Sequence, residues 1–334
     1  MKKGLAILVG GCMLALSLTG CGGSGSSAAG GSSGSVATGS DGAKVFQVGV
    51  LQQMEHEALD AATQGFQDAL KEALGDQVEI TVQNAQNDSN TCTTIATSFV
   101  SSGVDLIMAN ATNALQAAAA ATDTIPILGT SITEYGVALS LSDFNGTVGG
   151  NISGTSDLAP LDQQAAMLQE WFPDAEKVGL LYCSGEPNSQ YQVDVVKAEL
   201  EEMGYTCTLY PFSDSNDLAT ITTSAAAESD VIYVPTDNTV ASNTGIVDGI
   251  CRPAKVPVIA GEEGICAGCG VATLSISYYD IGYKTGEMAA QILTGEADIA
   301  TMPIEYAPQF TKKYNAAICE ELGLTAPEGY EAIG

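Results

Sequence analysis

One arginine, Arg252, and one histidine, His56, occur in these 334 residues, and lysine plus arginine number 11 against 40 aspartates and glutamates, a formal charge of -29. So few cations exclude nucleic acid as a partner, because phosphate binding needs clustered Lys and Arg. They also leave little to attract an anionic ligand, and the acidity reads as a solvated surface. No Gly-x-Ser-x-Gly elbow, phosphate loop or metal-ligand cluster occurs, so no catalytic residue, cofactor or metal is expected. A lone histidine makes no metal site without partners. Beyond the first twenty residues no apolar run is long enough to cross a membrane. What is present is 45% hydrophobic and 15% charged residues. That composition suits a globular body, and the length suffices for two domains.

Residues Met1 to Cys21 read as a secretory signal, with Lys2 and Lys3 as the positive start and Leu5 to Leu18 as the apolar run. The segment ends Leu18-Thr19-Gly20-Cys21, which resembles the bacterial lipoprotein signal box. The resemblance implies a signal peptide over 1–20 and a lipid on Cys21, holding the protein to the extracytoplasmic membrane face. An ordinary signal peptide with a chance cysteine, or a short membrane anchor, is the alternative. Residues 21–43 are rich in Gly, Ser and Ala without apolar periodicity, the composition of a flexible tether.

Strand-like and helix-like stretches then alternate, which predicts α/β architecture with parallel sheets covered on both faces. Val45 to Leu51 is a strand pattern. Glu57 to Leu74 has Leu59, Ala62, Phe66, Leu70 and Leu74 on one helical face. Gly149 to Pro160 reads as a first crossing into a second, similar lobe, its glycines permitting hinge geometry. Two stretches repeat across the lobes. Asp105-Leu-Ile-Met-Ala-Asn matches Asp230-Val-Ile-Tyr-Val-Pro, and Ile125-Pro-Ile-Leu matches Val256-Pro-Val-Ile. The expected division is 44–156 plus 276–303 for the N-terminal lobe and 157–275 plus 304–334 for the C-terminal lobe. Two Rossmann-like lobes of parallel sheet flanked by helices, joined by a multi-strand hinge, are therefore expected, as a monomer.

In such layers ligands gather at the carboxyl ends of strands. The candidates there are Gln52, Glu55, His56, Thr112, Thr133, Ser156, Asp157, Glu186, Asp237, Asn238 and Glu262. His56 reads equally as a ligand contact and as a cap or packing group. Asn110 to Asn113 and Thr236 to Asn238 read equally as helix caps. A free amino acid would find hydroxyls and helix amino ends for its carboxylate at Ser156, Thr112 and Thr133. Acceptors for its ammonium stand at Asp157, Asp237, Glu55 and Glu262. Tyr182 or Tyr278 would wall its side chain. The body cysteines, including Cys266-Ala-Gly-Cys269, read as buried or bridged structural groups, since no helix pattern follows the motif.

Four segments together resemble one family. They are Val48-Gly-Val-Leu-Gln-Gln-Met-Glu-His-Glu-Ala-Leu-Asp, Gly150-Asn-Ile-Ser-Gly-Thr-Ser-Asp, Tyr233-Val-Pro-Thr-Asp-Asn-Thr-Val-Ala-Ser and Ser277-Tyr-Tyr-Asp-Ile-Gly-Tyr-Lys-Thr-Gly-Glu-Met-Ala. The chain is similar to ABC-transporter substrate-binding lipoproteins of the tryptophan/tyrosine type, with the type I periplasmic-binding-protein fold. The resemblance implies a non-enzymatic protein that captures a small solute between its lobes, an aromatic amino acid foremost, and delivers it to ABC permease subunits in the membrane. A sugar- or nucleoside-binding or sensory protein of the same fold, or a surface enzyme, is the competing reading. The family often has His-Pro where this chain has His56-Glu57, and Ala-Thr-Pro where it has Asn110-Ala111-Thr112.

Overall fold

The computed structural model describes residues 44–333, so the signal segment, Cys21 and the tether lie outside it. The first lobe begins β1 (Phe46–Gln52), α1 (Glu57–Leu74), β2 (Val78–Asn84), α2 (Ser89–Ser102), β3 (Leu106–Asn110), α3 (Thr112–Ala121), β4 (Ile127–Ile132), α4 (Tyr135–Ala138) and β5 (Ile152–Ser156). The second lobe follows with α5 (Leu161–Trp171), β6 (Lys177–Cys183), α6 (Pro187–Glu202), β7 (Thr206–Phe212), α7 (Ser215–Glu228), β8 (Val231–Val234), α8 (Asn238–Ala241), α9 (Thr244–Ala254), β9 (Val258–Ala260), α10 (Glu263–Cys269) and β10 (Ala272–Ser275). The chain returns for α11 (Tyr278–Thr294) and β11 (Glu305–Tyr306), then ends with β12 (Thr311–Tyr314), α12 (Ala316–Leu322) and β13 (Glu331–Ala332).

Among the described residues the first sheet runs β11-β5-β4-β3-β1-β2, with every pair parallel. The second runs β13-β12-β10-β9-β8-β6-β7 and departs from parallel pairing only where β12 meets β10. Strands β3, β4 and β8 are buried along their length and, apart from Asn110 at the end of β3, are apolar or small-residue runs, as strands covered on both faces must be. The two lobes repeat one order, with β1 and β6 as first strands and β3 and β8 beside them. Asp105 accepts the Gln47 N–H at the start of β1 (2.8 Å), and Asp230 accepts the Lys177 N–H at the start of β6 (2.9 Å). The aligned aspartates are thus equivalent parts.

Two expectations need correction. Glu305 and Tyr306 pair with Thr155 and Ser156, so the final return to the second lobe falls after residue 306 rather than at 304. The Gly149–Pro160 stretch is not all crossing: Ile152–Ser156 within it form β5, an interior strand of the first sheet. Gly149 and Gly150, at φ 80° and 62°, turn the chain into that strand. Only the residues from Asp157 onward lie between the lobes' elements.

Helices α1 and α11 come from opposite ends of the chain and lie against each other along a seam of small residues. A Cβ at Gly282 would collide with the Ala62 carbonyl, and one at Gly65 with the Tyr279 carbonyl. A Cβ at Gly286 would stand 2.6 Å from Ala69 Cβ and from the Phe66 carbonyl oxygen. Phe66, Leu70 and Leu74 on α1 and Met288, Ala289 and Ala290 on α11 are buried in the same cluster with Val48, Val50 and Met108. Because backbone cannot yield as a side-chain tip can, Gly282→Ala should cost about 1–3 kcal/mol of stability by overpacking. Urea unfolding measures it; an unchanged midpoint would show that the helices can part without loss.

Candidate functional site

The carboxyl ends of β1, β8 and β9 and the segment after β5 converge on one small cavity. His56, Leu59, Asp157, Thr236, Asp237, Asn238, Ala241, Glu262 and Tyr278 line it. Residues from both lobes and from both sides of the crossings contribute. His56 Nε2 lies 3.1 Å from Asn238 Oδ1 across the gap, and Asn87 Nδ2 donates to Thr239 Oγ1 at 3.2 Å. The Ser242 hydroxyl reaches Met54 Sδ at 3.9 Å. The lobes are therefore closed on each other.

Three carboxylates share the cavity, and neither Lys nor Arg lines it. Each is held by uncharged donors. Asp237 caps α8, taking the Val240 N–H at 2.9 Å on Oδ1 and the Cys183 N–H at 2.7 Å on Oδ2. Glu262 caps α10, taking the Gly264 N–H at 2.7 Å and the Ile265 N–H. Asp157 Oδ2 accepts the Tyr278 hydroxyl at 2.9 Å, while its Oδ1 is buried with no hydrogen-bond partner. A buried, unpaired carboxylate oxygen is costly unless protonated or met by a donor.

Burial raises the pKa of all three. The Asp157 shift is opposed by the Tyr278 and Thr133 hydroxyls. Asp237 is raised by burial and then by the nearby Glu186 charge, against its two backbone donors. Burial lifts Glu262 to about 7, with Glu57 and Glu263 adding to the rise and its backbone donors opposing it. His56 is lowered by burial, against the Asn238 contact and the charges of Glu186, Asp60 and Glu57. Tyr278, fully buried between Asp157 and Glu262, is pushed well above its usual range.

Of the eleven sequence candidates, His56, Asp157, Asp237, Asn238 and Glu262 line the cavity. Glu186 sits behind it, taking the Asn238 N–H, Asn238 Nδ2, Thr239 N–H and Thr239 hydroxyl at 2.7–3.0 Å. Thr133 and Ser156 brace the Asp157 segment, the Ser156 hydroxyl donating to the Thr133 carbonyl at 2.9 Å. Gln52 is spent on the first lobe, donating to Met54 O and Asp60 Oδ1 and accepting from Thr63. Thr112 is buried as the first residue of α3. Glu55 is exposed and does not line the cavity. Leu59, Thr236, Ala241 and Tyr278 complete the lining. Tyr278 and Thr236 lay inside cap-like segments, Ser277-Tyr278 and Thr236-Asp237, and such segments also mark strand ends that face a cleft. Tyr182 is packed in the second lobe's core.

Asn110 does not cap α3. Its Nδ2 donates to the Leu59 carbonyl and to Thr63, and Ala111 holds the cap position without a capping side chain. Gln53 Oε1 accepts the Asn113 N–H instead, at 3.1 Å. Ala111 sits at φ 82°, ψ 163°, a region almost reserved for glycine. It packs with Met54 and Leu59, so this strained turn adjoins the cavity wall. The seven described cysteines are unbridged, and all but Cys207 are buried. Cys266 and Cys269 lie within helix α10, and β10 rather than a helix follows them.

A two-lobed α/β protein with a closed, polar inter-lobe cavity belongs to the class of solute-binding proteins. The family described as ABC transporter substrate binding protein matches residues 47–332, and this chain belongs to it. Its proteins bind solutes outside the cytoplasm and are not enzymes. The fold is that of the type I periplasmic binding proteins. A tyrosine-binding protein of Clostridioides difficile (strain R20291) is 36% identical over 309 residues, 91% of this chain and 87% of that one. An ABC domain from Streptococcus pneumonia in complex with L-Trp matches with a TM-score of 0.82 and 33% identity, over 86% of this chain and 100% of that one. The ligand-free, open structure of a substrate binding protein with adhesive properties from Clostridium difficile matches with a TM-score of 0.67 and 38% identity, over 86% and 99%. The relative more similar in sequence superposes less well. That fits lobes that here are closed, as the inter-lobe hydrogen bonds indicate.

Two outcomes follow from this geometry. A carboxyl group whose pKa is higher folded than unfolded stabilises the fold below its unfolded value, and that contribution is lost as pH rises. For Glu262 the loss runs up through about pH 7. The solute-free protein should therefore melt higher at pH 6 than at pH 8. The net charge of -29 gives a trend of the same sign. The diagnostic result is a shallower slope in Glu262→Gln, and parallel slopes would show that Glu262 titrates as if in water. Ala111→Gly should relieve strain and stabilise by about 1–3 kcal/mol, read as a raised urea midpoint; a lowered midpoint would refute the strain.

Proposed function

We propose that this protein is the extracytoplasmic solute-binding component of an ABC importer, tethered by a lipid on Cys21, that captures a free amino acid, an aromatic one foremost. The observation that carries the reading is the shared cavity of Asp157, Asp237 and Glu262 with no cationic side chain, in which one Asp157 oxygen is buried and unpartnered. A ligand ammonium supplies the missing donors and the missing positive charge. The amino end of α3, where Gln53 takes the Asn113 N–H, lies beside Leu59 and Ala111 and leaves the Thr112 and Ala114 N–H groups to meet a carboxylate. Tyr278, Leu59 and Ala241 are the apolar groups of the lining, and with a free volume of about 10 Å³ the cavity takes a ring only as these walls move apart. The tyrosine-binding relative and the L-Trp complex support an aromatic side chain.

Loading requires the lobes to part, and the solute holds them shut only by binding the closed form more tightly than the open one. That closed surface is what the permease subunits would receive. Calorimetry on protein unfolded and refolded to strip bound solute, against L-tyrosine, L-tryptophan, sugars and nucleosides, tests the reading. Binding of an amino acid should raise Tm and compact the protein in solution scattering. Binding of a sugar or nucleoside instead would overturn the assignment. In Asp157→Asn the amide nitrogen would occupy the unpartnered position, so the solute-free Tm should hold or rise. Loss of one charge-assisted hydrogen bond should weaken the amino acid by about 10–100-fold.

A further inference from the structure

Strand pairing between β8 and β9 ends at Val234 and Ala260, with one more bond from the Gly261 N–H to the Val234 carbonyl at 2.7 Å. Asp237 and Glu262 both lie beyond that point, on loops that no sheet register fixes. Two buried glutamines outside the cavity lining hold those loops instead. Gln192, on α6 and 1% exposed, clasps Thr236 at both ends of its backbone. Its Oε1 accepts the Thr236 N–H at 3.0 Å, and its Nε2 donates to the Thr236 carbonyl at 3.1 Å and to the Asn188 carbonyl at 3.1 Å. Gln164, on α5 and fully buried, donates to the Gly261 carbonyl at 3.2 Å and accepts the Tyr233 hydroxyl. Thr236 Oγ1 donates to the same Gly261 carbonyl at 3.3 Å and links the two clasps. The loops run backbone against backbone, for a Cβ at Gly261 would collide with the Thr236 nitrogen.

We propose that Gln192 and Gln164 are positioning residues of the solute site, holding the Thr236–Asp237 and Gly261–Glu262 loops together so that both carboxylates face one ligand ammonium. This rests on the reading of the cavity as the amino-acid site. A primary amide suits the task because it donates and accepts at once, as the Thr236 peptide does. An aliphatic side chain of similar volume satisfies neither group; at residue 192 it leaves the buried Thr236 N–H unpaired and the Thr236 carbonyl with Asn188 Nδ2 alone. Gln164 also begins its work one turn after the crossing at residues 157–160, so the clasp ties the acid loops to the helix that follows the hinge.

A double-mutant cycle tests the inference, with L-tyrosine and L-tryptophan as calorimetric probes on the solute-stripped protein. Gln192→Leu should weaken binding by about 10–100-fold. In an Asp237→Asn background the same change should cost less than about threefold, because residues acting through one another are not additive. A purely structural role would give the full loss in both backgrounds, and that result, or no loss in either, overturns the inference while Asp237→Asn alone remains weak. If Asp237→Asn binds as the native protein does, the amino-acid reading fails and the inference with it. Gln164→Leu repeats the test should Gln192→Leu fail to fold. If neither amino acid binds, the amino-acid reading fails and the inference with it. In the solute-free protein loosened loops admit water, so the Tm slope between pH 6 and 8 should flatten in Gln192→Leu, whereas a uniform fall in Tm at all pH values counts against the inference.

Discussion

Three carboxylates buried together without a cationic side chain govern this structure. Such charges are costly in a closed cavity unless protons or hydrogen-bond donors meet them. The fold supplies donors to two of them by placing Asp237 and Glu262 as helix caps, so that peptide N–H groups hold the oxygens in place. The third, Asp157, leans on Tyr278 from α11 and keeps one oxygen unmatched. The caps fix where two of the carboxylates sit, and burial between the lobes makes their charged forms costly, which raises the pKa of both.

Much of this was legible in the chain. Alternating runs such as Val45–Leu51 and Glu57–Leu74 gave the α/β layering because hydrophobic period follows burial. The aspartates at 105 and 230 betrayed the internal repeat, since each satisfies the first N–H groups of a neighbouring strand. Strand-end logic pointed to Asp157, Asp237, Asn238, Glu262 and His56, which do line one cavity. It failed for Glu55 and Gln52, one residue set at a single turn, because spacing does not say which side chain of a turn faces the cleft. It misplaced Asn110 for a related reason. Asparagine is a good cap in isolation, but here a buried amide was worth more to the α1 backbone, and the strained Ala111 took the cap position.

The glycine seam and the clasp of glutamines were the least visible. A glycine in a helix pattern looks like a weakness until the opposing backbone is known, and Gly65 meets its partner more than two hundred residues later. Gln164 and Gln192 are polar residues inside helices α5 and α6, yet both are buried. Their role depends on where two loops from other parts of the chain come to rest, which no local period encodes.

The seam between α1 and α11 also orders assembly. Tyr279 reaches Asp68 across 211 residues of chain. Everything from α5 to β10 lies between, and it builds five consecutive strands of the second sheet from one continuous stretch. Contacts so distant in sequence form slowly, because a long loop must close first. The half of the molecule that is begun first is consequently completed only when α11 and β11 have been made. A chain shortened from its carboxyl end before α11 would leave its amino-terminal portion without a wall and the second sheet without β12 and β13.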